Sequence, residues 1–221
     1  RSFSCTEGND LIPEIAHQKG LKTVVGAWIS EDKNRNEKEI EALIKLAKLG
    51  LVDIAAVGNE VLHRNEISEL ELIAYIKRVK DALPNIPVGY VDAYYQFLDR
   101  PNLISSCDLL LVNFYPFWEG ANIDYTTTYL QNMLELTQKV ANGKKIIITE
   151  TGWPSKGNAV DDAIPSEINA MRYFISTQKW SKNNNVELFH FSSFDESWKV
   201  MQEGTVGTSW GIWDKNEKLK F

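Results

Sequence analysis

The sequence is short of cysteine, histidine and long apolar stretches. Its 221 residues include two cysteines and three histidines. The histidines show no metal-ligand spacing with one another or with cysteine, so neither a metal site nor a cofactor is predicted. The most apolar run, residues 109–118, is interrupted by Asn113 and Pro116 and is too short to span a bilayer. No membrane-spanning segment is expected.

Basic residues are outnumbered by acidic ones. The chain has 24 Lys and Arg against 30 Asp and Glu, a formal net charge of −6, and no dense basic run. Nucleic-acid backbones and anionic membrane surfaces are bound by clustered basic side chains, so neither is an expected partner. A neutral ligand fits this charge balance, and the chain is expected to act as a monomer.

Aromatic residues, in contrast, make up 11% of the chain and include seven tryptophans. Large flat rings at a surface are typical of contact platforms for ligands. The alternative, that all seven tryptophans fill the core, is equally open from composition alone. The length and the hydrophobic content of 43% predict a single globular domain over residues 1–221.

A repeated pattern of helix, glycine and apolar run predicts the fold class. Gly20, Gly50 and Gly143 each precede an apolar run, as expected where a left-handed glycine ends a helix before a strand. Ser68 with Glu71 forms a capping-box pattern. Apolar strands alternating with helices predict a parallel α/β fold, either a barrel or a doubly wound sheet. The predicted strands are residues 1–4, 23–29, 54–61, 87–92, 109–117, 145–153 and 187–196.

Seven strands are one fewer than a (β/α)8 TIM barrel contains. The chain opens inside a predicted strand, so we expect such a barrel that lacks its first βα unit, the N-terminal strand and helix. Cys5 and Cys107 would then lie at opposite ends of the barrel. That separation exceeds the roughly 7 Å between Cα atoms that a disulfide allows, so two free thiols are expected.

Polar candidates gather at the ends of the predicted strands. In a parallel barrel all C-terminal strand ends lie on one rim, where barrel enzymes keep their active sites. Glu60 and Glu150 follow the apolar runs IAAVGN and IIIT and would face each other across the rim. Retaining glycosidases use two such carboxyl groups about 5–5.5 Å apart, although strand ends alone leave other chemistries open. The other strand-end residues are Trp28, Asn59, Asp92, Tyr115, Asp195 and Glu196.

Five motifs resemble those of glycoside hydrolase family 17, the β-1,3-glucanases and glucanosyltransferases. They are AVGNEV at 56–61, VNFYPFW at 112–118, ITETGWPS at 148–155, FDESWK at 194–199 and WGIWD at 210–214. They follow the family's order along nearly the whole chain, and ETGWPS is the most specific. The resemblance implies a barrel fold and a β-1,3-glucan substrate.

The resemblance also implies residue roles. Glu150 matches the nucleophile and Glu60 the acid/base. Asn59 matches the asparagine that holds the sugar 2-hydroxyl, and Tyr115 matches a tyrosine near the nucleophile. Three polar residues match the surroundings of the donor site, namely Glu196, Lys199 and Glu203.

Further candidates come from position alone. Trp118, Trp153 and Trp198 lie in or just after strand ends, where each ring either stacks on a sugar or walls the site. Asp92 either orients a substrate hydroxyl or caps a helix.

Three functions are compatible with these features. The first is a secreted, periplasmic or cell-surface retaining endo-hydrolase of laminarin-like β-1,3-glucan, whose partner is a neutral polysaccharide or oligosaccharide. The second is a β-1,3-glucanosyltransferase, in which a glucan hydroxyl replaces water. The third is a non-catalytic glucan-binding relative, and the presence of both Glu60 and Glu150 argues against it.

Overall fold

The computed structural model describes all 221 residues and divides into two compact units. The first comprises residues 1–112 and 137–147, and the second comprises residues 113–136 and 148–221. The strands are β1 Val24–Ala27, β2 Ile54–Asn59, β3 Val88–Ala93, β4 Leu110–Asn113, β5 Ile146–Thr151 and β6 Glu187–His190. The helices are α1 Leu11–Gln18, α2 Lys33–Lys48, α3 Glu69–Ala82, α4 Pro101–Ser106, α5 Thr126–Val140, α6 Glu167–Asn184 and α7 Val200–Gly207.

The first unit contains β1, β2, β3 and the beginnings of β4 and β5. β1 pairs with β2, and β2 pairs with β3, both in parallel register. The second unit contains β6 and the ends of β4 and β5, where Phe114 N donates to Glu150 O and Phe191 N donates to Thr151 O. All six strands are parallel. The predicted parallel α/β class is therefore confirmed.

Local sequence signals explain where the main helices begin and end. Ser68 and Glu71 form the predicted capping box at the start of α3, which satisfies two backbone N–H groups that the helix leaves free. Ser166 caps α6, and Asn185 ends it in the left-handed conformation. The capping box joins residues only three apart, so the sequence was sufficient to predict it.

The first predicted strand, residues 1–4, is reduced to one parallel bridge between Ser2 and Val25. The chain leaves the sheet because Cys5 N donates to the Glu39 carboxylate of α2 at 2.8 Å. A side chain thus takes the hydrogen bond that a neighbouring strand would otherwise provide. The structure contains six strands rather than the predicted seven.

Two other strands end at least four residues earlier than predicted. β4 ends at Asn113 rather than at residue 117, before Pro116, which has no N–H to donate to a strand ladder. β6 ends at His190 rather than at residue 196. Ser192 N donates to Trp210 O, so the chain after β6 pairs with a later segment. Asp195 and Glu196 therefore lie in a loop and not at a strand end.

Both cysteines are buried and free, as expected. Burial raises the pKa of the Cys107 thiol to about 11, so this sulfur is a poor nucleophile at neutral pH. None of the helices combines the length and apolarity that crossing a bilayer requires.

Candidate active site

Glu60 follows β2 directly and has an unusual backbone conformation. Its φ angle is +53°, in the left-handed region that non-glycine residues seldom adopt. Gly58, two residues earlier, has φ +85°, and a Cβ there would lie 3.3 Å from the ring of Tyr90. Glu60 N donates to Val91 O of β3 at 2.8 Å. The end of β2 thus turns sharply and presents Glu60 in a defined position.

Asn59, the residue predicted to hold a sugar hydroxyl, is anchored by an arginine. The Arg1 guanidinium Nη2 donates to Asn59 Oδ1 at 2.6 Å, and it also lies 4.2 Å over the ring of Phe3. With its oxygen held by Arg1, the Asn59 amide has its NH2 group oriented as a donor. Sequence reasoning missed Arg1, because only the bridge of Ser2 to Val25 brings it close to β2.

Asp92 is fully buried on β3. Its Oδ2 accepts hydrogen bonds from the Tyr90 hydroxyl and from His63 N, the latter at 3.3 Å, while Oδ1 accepts from Ala93 N at 2.8 Å. Burial raises the pKa of Asp92, and the hydrogen bonds from Tyr90, Ala93 and His63 counteract part of that increase. The contacts of Asp92 go to the turn after Glu60, a role that sequence reasoning did not include.

Two aromatic rings, those of Tyr95 and Trp28, contact the turn that follows Glu60. The Tyr95 hydroxyl and His63 Nδ1 are 2.9 Å apart, and Tyr95 is 43% exposed. Trp28, which follows β1, lies 4.9 Å below the Arg64 guanidinium. Such exposed or half-exposed rings provide apolar faces on which a neutral ligand can stack.

Glu150 lies in β5 and is only 7% exposed. The Tyr115 hydroxyl donates to Glu150 Oε2 at 2.8 Å, so the structure brings together these two predicted site residues. Edge-to-face contacts hold the Tyr115 ring against Trp210 at 5.4 Å and against Phe191 at 6.3 Å. A nearly buried carboxylate that accepts a hydrogen bond from a fixed phenol is held in one orientation.

The glycine of the ETGWPS motif is required by packing. A Cβ on Gly152 would lie 1.9 Å from Phe191 O and 3.2 Å from the Trp210 ring. The backbone after Glu150 therefore passes directly against the end of β6, which only glycine permits. Trp210 belongs to the WGIWD motif, so two separate motifs meet at this point.

The three predicted tryptophans differ in exposure. Trp153 is 1% exposed, its indole N–H donates to Ile164 O at 3.1 Å, and its ring packs on Phe117 and Tyr173. Of the two roles considered for Trp153, these contacts favour that of a wall residue. Trp118 and Trp198 are 44% and 63% exposed, so both have ring surface available to a ligand.

Two of the three predicted donor-site residues form an ion pair. Lys199 Nζ lies 2.7 Å from Glu196 Oε2 and also lies over the rings of Phe191 and Trp198. Lysine held by a carboxylate and two rings is a hydrogen-bond donor in a fixed position. Glu203 is exposed on α7, at Gly207, where an added Cβ would meet its side chain.

A buried lysine near the end of the chain joins the segments that carry these motifs. Lys220 Nζ contacts Asp195 Oδ1 and Ser155 Oγ, both at 2.8 Å, and Gly211 N donates to the same Asp195 oxygen. Sequence reasoning missed Lys220 because no periodicity or motif marks it. Tyr90, also missed, lies two residues before Asp92 on a predicted strand, so its side chain was predictable as a same-face neighbour.

Comparison with known proteins identifies a family whose model matches this chain. The family model for the BtgE/BtgC glycoside hydrolase domain matches residues 1–211. Glucan 1,3-beta-glucosidase BGL2 of Candida albicans is 27% identical over 253 residues, covering 100% of this chain and 80% of that protein.

Solved structures give a consistent result. The chain is similar to a glycoside hydrolase family 17 β-1,3-glucanosyltransferase from Rhizomucor miehei, with 29% identity and a TM-score of 0.89. The match covers 98% of this chain and 82% of that one. An active-site mutant of the Rhizomucor miehei β-1,3-glucanosyltransferase, in complex with laminaritriose, matches with 29% identity and a TM-score of 0.86 over 95% of this chain and 78% of that one.

Proposed function

Because the chain belongs to the BtgE/BtgC glycoside hydrolase domains, and with them to glycoside hydrolase family 17, we propose that it is a retaining endo-β-1,3-glucan hydrolase. Its substrate is a neutral laminarin-like polysaccharide or oligosaccharide. The proposal assigns Glu150 as the nucleophile and Glu60 as the acid/base, and it requires no metal or organic cofactor.

The proposed reaction has two steps. Glu150 attacks the anomeric carbon of the glucosyl unit while the Glu60 carboxylic acid protonates the departing glycosidic oxygen. The resulting Glu60 carboxylate then removes a proton from water, which attacks the same carbon and releases Glu150. Two inversions at one carbon leave the β configuration unchanged.

One observation carries the proposal, namely the hydrogen bond from Tyr115 to Glu150 at 2.8 Å. A nucleophilic carboxylate needs one oxygen fixed and the other directed at the sugar, and a single phenol donor provides this asymmetry. Near-complete burial at 7% exposure keeps competing water away from the carboxylate. The ion pair of Glu196 with Lys199 and the exposed rings of Trp118 and Trp198 would then contact glucosyl units.

Azide rescue of two alanine variants tests both assignments. With a dinitrophenyl β-glucoside substrate, Glu150→Ala should lose about 10⁴-fold or more in kcat, and azide should restore turnover with the α-glycosyl azide as product. Glu60→Ala should instead yield the β-glycosyl azide, since Glu150 still forms the intermediate. Full activity of Glu150→Ala without azide, or the opposite anomers, would contradict the assignments.

A second candidate function is glucanosyl transfer, because a family 17 glucanosyltransferase is 29% identical to the chain. The same intermediate on Glu150 would be captured by a glucan hydroxyl instead of water. Chromatography of the products from a defined laminarioligosaccharide separates the two functions. Products longer than the substrate indicate transfer, and shorter products alone indicate hydrolysis. Glucan binding without any turnover by the wild-type protein would support a non-catalytic role.

The same proposal covers the domain type, the oligomeric state and the location of the protein. We propose that residues 1–221 act as one catalytic domain of the (β/α)8 barrel type, in keeping with the family resemblance. The protein would act as a monomer, and it would work outside the cytoplasm or at the cell surface, where β-1,3-glucan polymers are found.

A further inference from the structure

The turn that carries Glu60 has little regular structure of its own. Glu60 has a left-handed φ of +53°, and Arg64 N donates to Glu60 O at 2.9 Å, closing a single turn. Glu66 N donates to Val61 O at 3.1 Å. A non-glycine residue stays in this backbone region only when the surrounding structure holds it there.

Three consecutive residues of β3 hold this turn. Val91 O accepts from Glu60 N at 2.8 Å, the Tyr90 hydroxyl accepts from Leu62 N at 2.9 Å, and Asp92 Oδ2 accepts from His63 N. Tyr90 and Asp92 project from the same face of β3, because side chains alternate along a strand. The Tyr90 hydroxyl donates its own proton to Asp92 Oδ2, which links the two supports.

The two side chains are inaccessible to solvent, and both have 0% exposure. Water therefore has no ready access to replace their hydrogen bonds to Leu62 N and His63 N. The Tyr90 ring also packs against the backbone of Gly58, since a Cβ there would lie 3.3 Å from it. The pair thus constrains the chain both before and after Glu60.

We infer that Tyr90 and Asp92 are positioning residues that hold the acid/base Glu60 in register with the scissile bond, an inference that rests on the proposed function. Proton transfer to the departing oxygen requires the carboxyl group within hydrogen-bond reach of it. A small displacement of the turn would withdraw the proton from the oxygen. Tyr90 and Asp92 have no exposed surface to offer a substrate, so their effect is exerted through the backbone of residues 60–63.

Two substrates with different leaving groups reveal whether the acid is displaced. The value of kcat/KM reports events up to the formation of the glycosyl-enzyme. A laminarioligosaccharide needs protonation of its leaving sugar in that step, whereas 2,4-dinitrophenyl β-laminaribioside releases a stable phenolate without it. Tyr90→Phe keeps the ring packing on Gly58 and removes only the hydroxyl, and Asp92→Asn keeps the shape and removes the charge.

We expect Tyr90→Phe to lower kcat/KM for laminaripentaose by about 10- to 100-fold, a part of the effect of general acid catalysis. On the dinitrophenyl substrate the same variant should stay within about threefold of the wild type. Asp92→Asn should show the same selectivity, that is, a larger loss on laminaripentaose than on the dinitrophenyl substrate, to a smaller extent. Glu60→Ala provides the benchmark and should show the largest selectivity.

A core variant outside the turn provides the control for general destabilisation. Val79 is buried on α3, and Val79→Ala should lower the melting temperature while leaving the ratio of the two kcat/KM values unchanged. Equal losses on both substrates for Tyr90→Phe and Asp92→Asn, or no loss on either, would overturn the inference. If Tyr90→Phe does not fold, the isosteric Asp92→Asn decides the matter.

The outcomes also separate this inference from the proposed function. A wild-type protein without activity on either substrate, or a Glu60→Ala variant without selectivity, would contradict the proposed function and the inference together. A selective Glu60→Ala variant beside non-selective Tyr90→Phe and Asp92→Asn variants would contradict the inference alone.

Discussion

At the scale of single residues, the same residue type plays unrelated roles according to its contacts. Glu150 is held by one phenol at 7% exposure, whereas Glu39 is fully buried and accepts several donors. Trp153 is enclosed, while Trp198 is mostly exposed. The sequence correctly predicted that Glu60 and Glu150 lie at strand ends, because that position depends on the apolar residues just before each of them. The exposure of each tryptophan depends on residues distant along the chain, so the sequence did not predict it.

Gly152→Ala should be among the most damaging single-atom additions in the protein. The new methyl would lie 1.9 Å from Phe191 O, a backbone atom that cannot rotate away, so unfolding free energy should fall by more than about 3 kcal/mol. Gly143→Ala is the control. Gly143 has φ +76° but open space around it, so the cost there is only about 1–2 kcal/mol. Urea denaturation measures both, and equal losses would contradict the packing argument.

At the scale of elements, local signals were sufficient for helix starts and insufficient for strand ends. The capping box of Ser68 and Glu71 involves residues three apart, so its energetics are contained in the sequence. Residues 191–196 were predicted as the end of the last strand, but their backbone groups pair with the chain near Trp210. That pairing depends on a contact between distant segments, which explains why β6 is shorter than predicted.

Helix α2 stabilises the segment after residue 3 through one side chain. Glu39 accepts from Ser4 Oγ at 2.6 Å, Cys5 N at 2.8 Å and Trp28 N at 3.1 Å. Glu39→Gln keeps the shape of the side chain but replaces one acceptor oxygen with an NH2 group. The N–H bonds of that group then point at groups that are themselves donors. The free energy of unfolding should fall by about 3 kcal/mol, since buried groups lose their acceptor.

Glu41→Gln, an exposed change on the same helix, is the matched control for Glu39→Gln. It should alter unfolding free energy by no more than about 0.5 kcal/mol. Chemical denaturation followed by circular dichroism compares the two variants. A stable Glu39→Gln protein would show that this buried carboxylate is dispensable for the fold.

At the scale of the whole molecule, a half-buried histidine links stability to pH. Burial, and then the charge of Lys220, lower the pKa of His190 from 6.5 to about 4. The unfolded chain therefore binds a proton at this residue between pH 6.5 and 4, and the folded protein does not. Stability from His190 is complete above pH 6.5 and is lost as the pH falls toward 4.

The expected loss is about 1.4 kcal/mol for each pH unit across that window. His190→Gln removes the titrating group. The unfolding free energy of the wild type, measured relative to that of the variant, should therefore fall by about 1.4 kcal/mol for each pH unit from pH 6.5 to 4.5. Denaturation curves at pH 7.5, 5.5 and 4.5 measure it. Parallel pH profiles for the two proteins would mean that His190 does not titrate differently on unfolding.

Short stretches of sequence were enough to predict the α/β class, the capping box of α3 and the two glutamates that the proposed mechanism uses. Each of these follows from residues close together in the chain or from a motif of a few letters. Other features became visible only in the folded chain: Tyr115 holds Glu150, Tyr90 and Asp92 support the turn of Glu60, and Arg1 and Lys220 anchor neighbouring segments. A buried hydrogen bond depends on which donor and acceptor meet after folding. The distance between them along the chain carries no such information.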